Sequence, residues 1–429
     1  MRVTARDADP VAEAATERAL ANREFRGIVA AQVTSECGDQ IAAIALSYLV
    51  YSRSNSPFLA AATYAVRYLP LTLGSVLLAP LVDRLSRRRV MLVADLSRGA
   101  IAAALVVLTS IHGISVGVLI GFVLLGSCFT PPYAAARSSM LPDLFESGPA
   151  YVSAVAIGRI LQQVDQVFGF ALGGVIVAVV SPRGALAIDA VTFVVSFLIT
   201  AREVRERPAV LAGARPTVSS LAREIGPTVV VVLASRSRRA LLWLSGGALL
   251  FLIAPESLAV AYAREHGHGA VAAGLLTAAQ PLGIAVGAWA FINFVPARHQ
   301  GRWLLPLAWG GAFVLTLTAF VPPIWLTFVL WTASGAMQCF LVATIAAYNM
   351  STERSLRGRA NGVAAAAIFI AQGLGFLVWG AVGTWRGAAA GVAWAGVMGL
   401  LIMGLVRFWW PTEEIAGAWR KLEAAQRPA

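Results

Sequence analysis

Long apolar runs and short polar gaps alternate along this chain of 429 residues, and the runs carry almost no charge. The runs cover about 25–51, 57–82, 90–110, 114–136, 151–180 and 184–202, then 239–263, 270–295, 302–320, 324–350, 360–383 and 387–408. Each approaches or exceeds the roughly 20 apolar residues that cross a hydrocarbon core of about 30 Å. Helix is the state expected for all of them, because an open strand in lipid leaves its backbone polar groups unpaired. The pattern therefore predicts an all-α membrane protein with twelve transmembrane helices, here called spans 1 to 12.

Composition strengthens this reading. Hydrophobic residues make up 58% of the chain and charged residues 13%, with a mean hydropathy of +0.73, outside the range of a soluble domain. The net charge of +12 raises the question of nucleic acid. The positive charges are nearly all Arg at helix ends, which argues for an orientation signal and no nucleic-acid partner. With the N-terminus inside, the outer gaps hold Arg53, Arg183, Arg264 and Arg386. The inner ones hold Arg84, Arg87, Arg88, Arg89, Arg137, Arg298, Arg302, Arg354, Arg357 and Arg359. Both termini are thus expected in the cytoplasm. The polar first 24 residues read as a cytoplasmic tail.

Conventional catalytic chemistry finds little support. Cys37, Cys128 and Cys339 fall inside apolar spans and read as small buried side chains. His112, His266, His268 and His299 lie in turns or loops without a metal-binding pattern, and no phosphate-binding glycine loop is present. No metal, no cofactor and no enzymatic reaction are expected.

Six spans precede and six follow the polar stretch from Glu203 to Arg239, which contains Pro208, Pro216 and Pro227 and seven arginines. The expected organisation is a tail (1–24), a six-helix bundle (25–202), a cytoplasmic linker (203–238), a second six-helix bundle (239–408) and a C-terminal tail (409–429). The linker reads as a tether with a short surface helix, or as a hinge. The halves repeat weakly. A shift of 210 superposes Met140 on Met350, Asp143 on Glu353, Ala150 on Ala360 and Gln162 on Gln372; a shift of 211 superposes Pro70 on Pro281 and Gly99 on Gly310. Two pseudo-symmetric six-helix bundles around a central site are a transporter architecture.

Charges within the spans are costly and mark functional candidates. At 1.5 Å per residue, Asp39, Asp165, Arg67 and Glu256 come to lie about 21–25 Å from the inner ends of spans 1, 5, 2 and 7. Glu36 shares a face with Asp39. Glu256, Asp39, Glu36 and Asp165 are the candidate proton carriers, and Arg67 is the expected charge partner of Asp39 or Glu36. Glu256 has no obvious cation at its depth. Arg159, Gln162, Gln163 and Gln166 form a polar stripe on span 5 that, with Gln372, lines a cavity or joins helices. Asp189 is expected to be solvated near the outer end of span 6. Trp303, Trp325, Trp409 and Trp410 read as interfacial anchors; Trp289, Trp331 and Trp379 are open between cavity and core.

Several motifs resemble the major facilitator superfamily over nearly all of residues 25–408. The gap after span 2 reads Ala79-Pro80-Leu81-Val82-Asp83-Arg84-Leu85-Ser86-Arg87-Arg88, similar to that superfamily's G-x-L-x-D-R-x-G-R-R/K signature, with Ala79 and Ser86 in place of its glycines. The resemblance implies a cytoplasmic gate at Asp83, Arg84, Arg87 and Arg88, which Asp95 and Arg98 of span 3 are expected to extend. Gly169, Gly173 and Gly174 resemble the antiporter motif of span 5, with Phe170 in place of its proline. The arginine of proton-coupled members is replaced in span 4 by Phe122. Ser35–Asp39, Arg67–Pro70, Asp95–Arg98, Pro131–Arg137 and Pro255-Glu256 look like the efflux branch related to enterobactin exporters and macrolide efflux proteins.

That resemblance implies a secondary active transporter in a bacterial plasma membrane. It would export an amphipathic small molecule, a drug or a secondary metabolite, in exchange for protons. The partners implied are that substrate, protons and the lipid bilayer, with a monomeric state. A lipid or siderophore transporter of the same fold, and a non-transporting receptor or scaffold, are the alternatives.

Overall fold

A computed structural model describes residues 10–77, 86–111, 113–145, 148–207, 218–353 and 356–415. Asp83 and Arg84, at the centre of the signature gap, lie outside the described residues. Among those described, ten helical stretches are long and apolar enough to cross a membrane. Helices Arg23–Ser54 and Pro57–Leu77, which carry the charges of spans 1 and 2, bring the number to twelve.

Local chemistry sets the helix ends. Asn22 caps span 1 by accepting from the N–H of Phe25 at 3.1 Å. Asn55, in the left-handed region at φ 48°, closes the same helix by donating its N–H to Tyr51 O. Ser115, Ser181 and Ser235 accept backbone N–H groups at the starts of spans 4, 6 and 7. Side-chain oxygens suit these positions because the first turn of a helix leaves N–H groups without intrahelical partners.

Three spans are interrupted. Span 4 consists of Val116–Ser127 and Thr130–Phe145, and span 10 of Ile324–Met337 and Phe340–Met350. These two breaks fall at Cys128 and Cys339, 211 positions apart, so the repeat seen in the sequence extends to a shared bend. Span 7 is divided into Arg236–Leu252 and Ala254–Glu265 at Ile253, with Pro255 in the first turn of its second half. Proline is at home in a first turn, where its missing N–H costs nothing.

Spans 1, 3, 5 and 6 pack closely together, as do spans 8 with 10 and 9 with 12. The main packings between the halves are span 2 on span 11 and span 5 on span 8. Two further helices accompany the spans. Pro10–Ala21, in the stretch read as a polar tail, buries Ala15 and Ala19, the helix lying against span 5. Val218–Ala234, within the linker, packs on span 11 and touches span 2.

Aromatic residues divide by environment. Trp303, Trp325 and Trp409 are exposed at span ends, and Trp289 is exposed on span 8. Trp331 and Trp379 are core residues: their indole N–H groups donate to Thr318 Oγ1 at 3.2 Å and to Leu250 O at 2.7 Å. Cys128 departs from the expectation of three buried thiols, being exposed at its helix break.

Candidate functional site

A cavity of about 1050 Å³ lies between the halves, lined by spans 1 to 8, 10 and 11. At the end remote from the termini it is sealed. There Gly174 of span 5 meets Gly274 of span 8 so closely that a Cβ on Gly174 would stand 2.6 Å from Ala270 O and 2.9 Å from Gly274 Cα. Only glycine permits such an approach of two backbones. The seal continues where Phe58 N–H donates to Thr384 Oγ1 at 3.0 Å, and where Arg264 donates to Tyr48 Oη at 3.2 Å. Towards the other end, the lining reaches Phe25 at the start of span 1, Leu141 at the end of span 4 and Tyr151 at the start of span 5. The cavity opens at the end that carries the termini.

The wall formed by the first six spans is held by paired charges. Asp39 forms an ion pair with Arg98, which is 6% exposed and also lies over the Phe193 ring at 4.4 Å. Glu36 pairs with Arg137 at 2.9 Å and accepts from Gln32 Nε2 at 3.2 Å. Asp95 is fully buried and accepts from Ser196 Oγ at 2.7 Å. Arg67, the expected partner of the Asp39 carboxylate, instead donates to the Asp39 backbone carbonyl at 3.2 Å. Arg98 and Asp95, grouped by sequence with the gate, therefore face into the bundle. Arg98 is long enough to reach a carboxylate placed deeper than its own Cα, and desolvated ions seek a partner.

Asp189 corrects another expectation. It is 5% exposed, lines the cavity against span 1, and its Oδ1 has no hydrogen-bond partner among the described residues. Asp165 is equally buried, with Oδ2 unpartnered, but is absent from the cavity lining. It stands one turn before Gly169, whose face of span 5 packs on Cys37 O and Gln40 of span 1, so it faces that helix.

The wall formed by the later spans carries fewer charges. Glu256 lines the cavity in the first turn of the second half of span 7, with no hydrogen bond or ion pair among the described residues. Arg67 of span 2 lines the same cavity. Beside it Tyr64, Tyr68, Phe369 and Phe376 form an aromatic stack that joins spans 2 and 11, with centroids 5.2 to 6.3 Å apart. Arg159, Gln162, Gln166 and Gln372 line the cavity, while Gln163 bridges the halves by donating to Pro281 O at 3.2 Å. Gln280 and Gln338 also line it, and sequence reading passed over both. An amide isolated in an apolar span was the available signal.

The glycine motif of span 5 has two packing partners. Gly169 and Gly173 meet Gln40 and Ile41 of span 1, and Gly174 meets span 8. At the terminal end, Arg87 pairs with Asp143, and Arg88 donates to Ala201 O at 2.5 Å. Both bonds stay within the first six spans. The start of the linker is clamped to the same bundle: Glu24 accepts both Nη groups of Arg207 at 2.6 and 2.8 Å and the N–H of Arg205 at 2.9 Å. Burial pushes the Glu24 carboxyl up, but those bonds outweigh it and hold it below its ordinary value.

Twelve spans packed around one cavity, sealed at one end and open at the other, define a membrane transporter of the major facilitator type. The chain belongs to the family of transmembrane secretion effectors, which it matches over residues 15–419. It is 29% identical over 175 residues to the multidrug efflux pump Tap of Mycolicibacterium fortuitum, covering 40% of this chain and 43% of that one. Identity to Tap of Mycobacterium tuberculosis is 31% over 185 residues, 41% of this chain and 42% of that one. The match thus spans about two-fifths of these curated relatives' length. In fold, the chain is similar to the peptide transporter POT in complex with sulfate, at a TM-score of 0.71 and 13% identity over 92% of this chain and 96% of that one. The D-xylose–proton symporter gives 0.66 and 14% identity over 90% and 97%.

Proposed function

We propose that this protein exports amphipathic small molecules across a bacterial plasma membrane by alternating access, in exchange for protons. The observation that carries the reading is the 1050 Å³ cavity with a sealed and an open end. With the arginine-rich loops, and so both termini, on the cytoplasmic side, the open end faces inward, the state in which an exporter collects its load. The mixed lining of aromatic rings, amides and charges suits a molecule with an apolar body and polar groups. The efflux pumps named above favour export as the direction.

Glu256 is our candidate proton carrier. It lines the cavity, no cation among the described residues is bonded to it, and it stands beside the division in span 7. Broken helices near the midplane are where transporter sites form. Asp39 and Glu36 are less suited, because each is already paired with an arginine. The glycine contact between spans 5 and 8 would open as the cavity closes inward. Asp83 and Arg84, with Arg87 and Arg88, would then hold the cytoplasmic side, by the resemblance of their motif. A monomer suffices for this scheme, since one chain contains the whole cavity.

The test is transport in proteoliposomes carrying an imposed pH gradient. Accumulation of an amphipathic dye, accompanied by proton counterflow from a trapped pH indicator, is the expected result. Dye movement that persists when an ionophore collapses the gradient would remove proton exchange from the proposal. Absence of dye movement at any gradient would remove export.

A further inference from the structure

We propose that the corner of the cavity between spans 5, 8 and 10 binds the anionic oxygen group of an amphipathic substrate, with Arg159, Gln280 and Gln338 as its donors. This deepens the export reading and rests on the cavity being its substrate site.

Four arginines line the cavity, and three are engaged. Arg98 is held by Asp39, Arg137 by Glu36, and Arg67 by the carbonyl of Asp39. Arg159 has no hydrogen bond or ion pair among the described residues, although it lies about 15 Å along span 5 from Pro149. A cation at such depth is tolerated where it faces water and a ligand, not lipid. The nearest acid on its own helix is Asp165. Six residues further on, Asp165 lies about 120° away, on the face that Gly169 packs against span 1.

The facing wall supplies two amides with nothing to bind. Gln280 and Gln338 are each 4% exposed, both line the cavity, and the Nε2 of each lacks a partner among the described residues. A buried donor left without an acceptor is destabilising, so a site that keeps two of them gains when an acceptor arrives. At the break in span 10 the backbone of Gln338 is already engaged: its N–H donates to Gly335 O at 2.9 Å, and its O accepts from Leu341 N–H at 2.9 Å.

These three residues share one corner. Gln163, one turn beyond Arg159 on span 5, donates to Pro281 O, the residue following Gln280. Gly335, three residues before Gln338, packs on the Gln280 backbone so closely that a Cβ there would stand 2.9 Å from Gln280 Cα. The corner thus offers one guanidinium and two amide NH₂ groups with no carboxylate bonded to any of them among the described residues. Carboxylate, phosphate and sulfonate oxygens are the chemistry that such a set of donors accepts. The apolar body of the substrate would lie against Phe122, Leu341 and Phe369, which also line the cavity.

Carboxyfluorescein and rhodamine 123 test this, since they share a tricyclic ring and carry opposite charge. Binding to purified protein would be read by fluorescence polarisation, and uptake would be followed in inverted vesicles. Wild type is expected to bind carboxyfluorescein about tenfold or more tightly than rhodamine 123. Arg159→Gln should erase that preference without weakening rhodamine 123, Arg159→Lys should restore most of it, and Gln338→Leu or Gln280→Leu should weaken carboxyfluorescein about three- to tenfold. Should Arg159→Gln fail to give monodisperse protein, the two leucine variants carry the test. Preference for rhodamine 123, equal losses for both dyes, or no binding of either would overturn the anion site. Arg159-dependent binding of carboxyfluorescein without uptake would keep the site and overturn export; uptake of rhodamine 123 alone would do the reverse.

Discussion

The two walls of the cavity hold their charges differently: ion pairs gather on the first, where Asp189 and Asp165 still keep one unpartnered oxygen each among the described residues, and none of the described ion pairs falls on the second. On the side of spans 1 to 6, Asp39 pairs with Arg98, Glu36 pairs with Arg137, and Asp95 takes the Ser196 hydroxyl. On the side of spans 7 to 12, Glu256 has no bonded cation and the amide nitrogens of Gln280 and Gln338 have no acceptor among the described residues. Charge that is already paired braces a bundle, because removing either partner strands the other away from water. Groups that are unpaired are available to a proton or a ligand. The comparison assigns structure to the ion pairs of the first wall and exchange to the unpaired groups, Glu256, Gln280 and Gln338 on the second wall with Arg159 facing them from the first.

The largest effect that would sharpen this contrast is expected at Arg98. Arg98→Ala leaves the Asp39 carboxylate without its cation and should cost about 3–5 kcal/mol of stability. Thermal unfolding of the purified protein would show it as a fall in midpoint and in monodisperse yield. A variant as stable as wild type would break the assignment of that pair to structure.

A change at the seal comes next. Gly174→Val places methyl groups where the Ala270 carbonyl and Gly274 already stand, so spans 5 and 8 must part. Spin labels at the far ends of these spans are expected to show a longer distance than in wild type, with transport reduced about tenfold or more because one of the two states is disfavoured by about 1.4 kcal/mol or more. An unchanged distance would mean that the contact is not a gate.

The smallest effect is expected outside the cavity, at Glu24. Its carboxyl is held below its ordinary value, so its clamp on Arg205 and Arg207 is fully present above that ordinary value. The clamp is lost only as pH falls through the lowered one. Between pH 5 and 8 hydrogen exchange at residues 204–207 should therefore be flat apart from its intrinsic rate, whereas Glu24→Gln should raise it by a factor of about 5–10, the loss of roughly 1 kcal/mol of charge-assisted bonding. A rise in wild-type exchange already near pH 6 would contradict the assigned direction.

Much of this was legible in the sequence. The twelve spans, their repeat at an offset of 210 to 211 and the depth of the intramembrane charges follow from spacing alone. What depth does not give is azimuth and reach. Arg67 and Asp39 share a level, yet the Asp39 carboxylate points towards span 3, where the long side chain of Arg98 rises to meet it. Asp189 is near a span end by count, but its face of span 6 turns inward against Gly38. Pro131 and Pro255 mark the breaks at Cys128 and Ile253, each in the first turn of the half that follows, whereas the break at Cys339 has no proline near it. Gln280 and Gln338 escaped notice because single amides in apolar spans form no stripe.

The central claim is that a carboxylate on one wall holds the fold and a carboxylate on the other carries the proton. Asp39→Asn and Glu256→Gln, each removing one charge with little change in shape, should be compared in proteoliposomes for folded yield and pH-driven dye accumulation. The account predicts that Asp39→Asn lowers folded yield in line with the loss of the Arg98 pair. Glu256→Gln should leave yield and dye binding near wild type while abolishing accumulation driven by the gradient. Gradient-driven accumulation that survives in Glu256→Gln, together with Asp39→Asn that folds normally but is uncoupled, would contradict it.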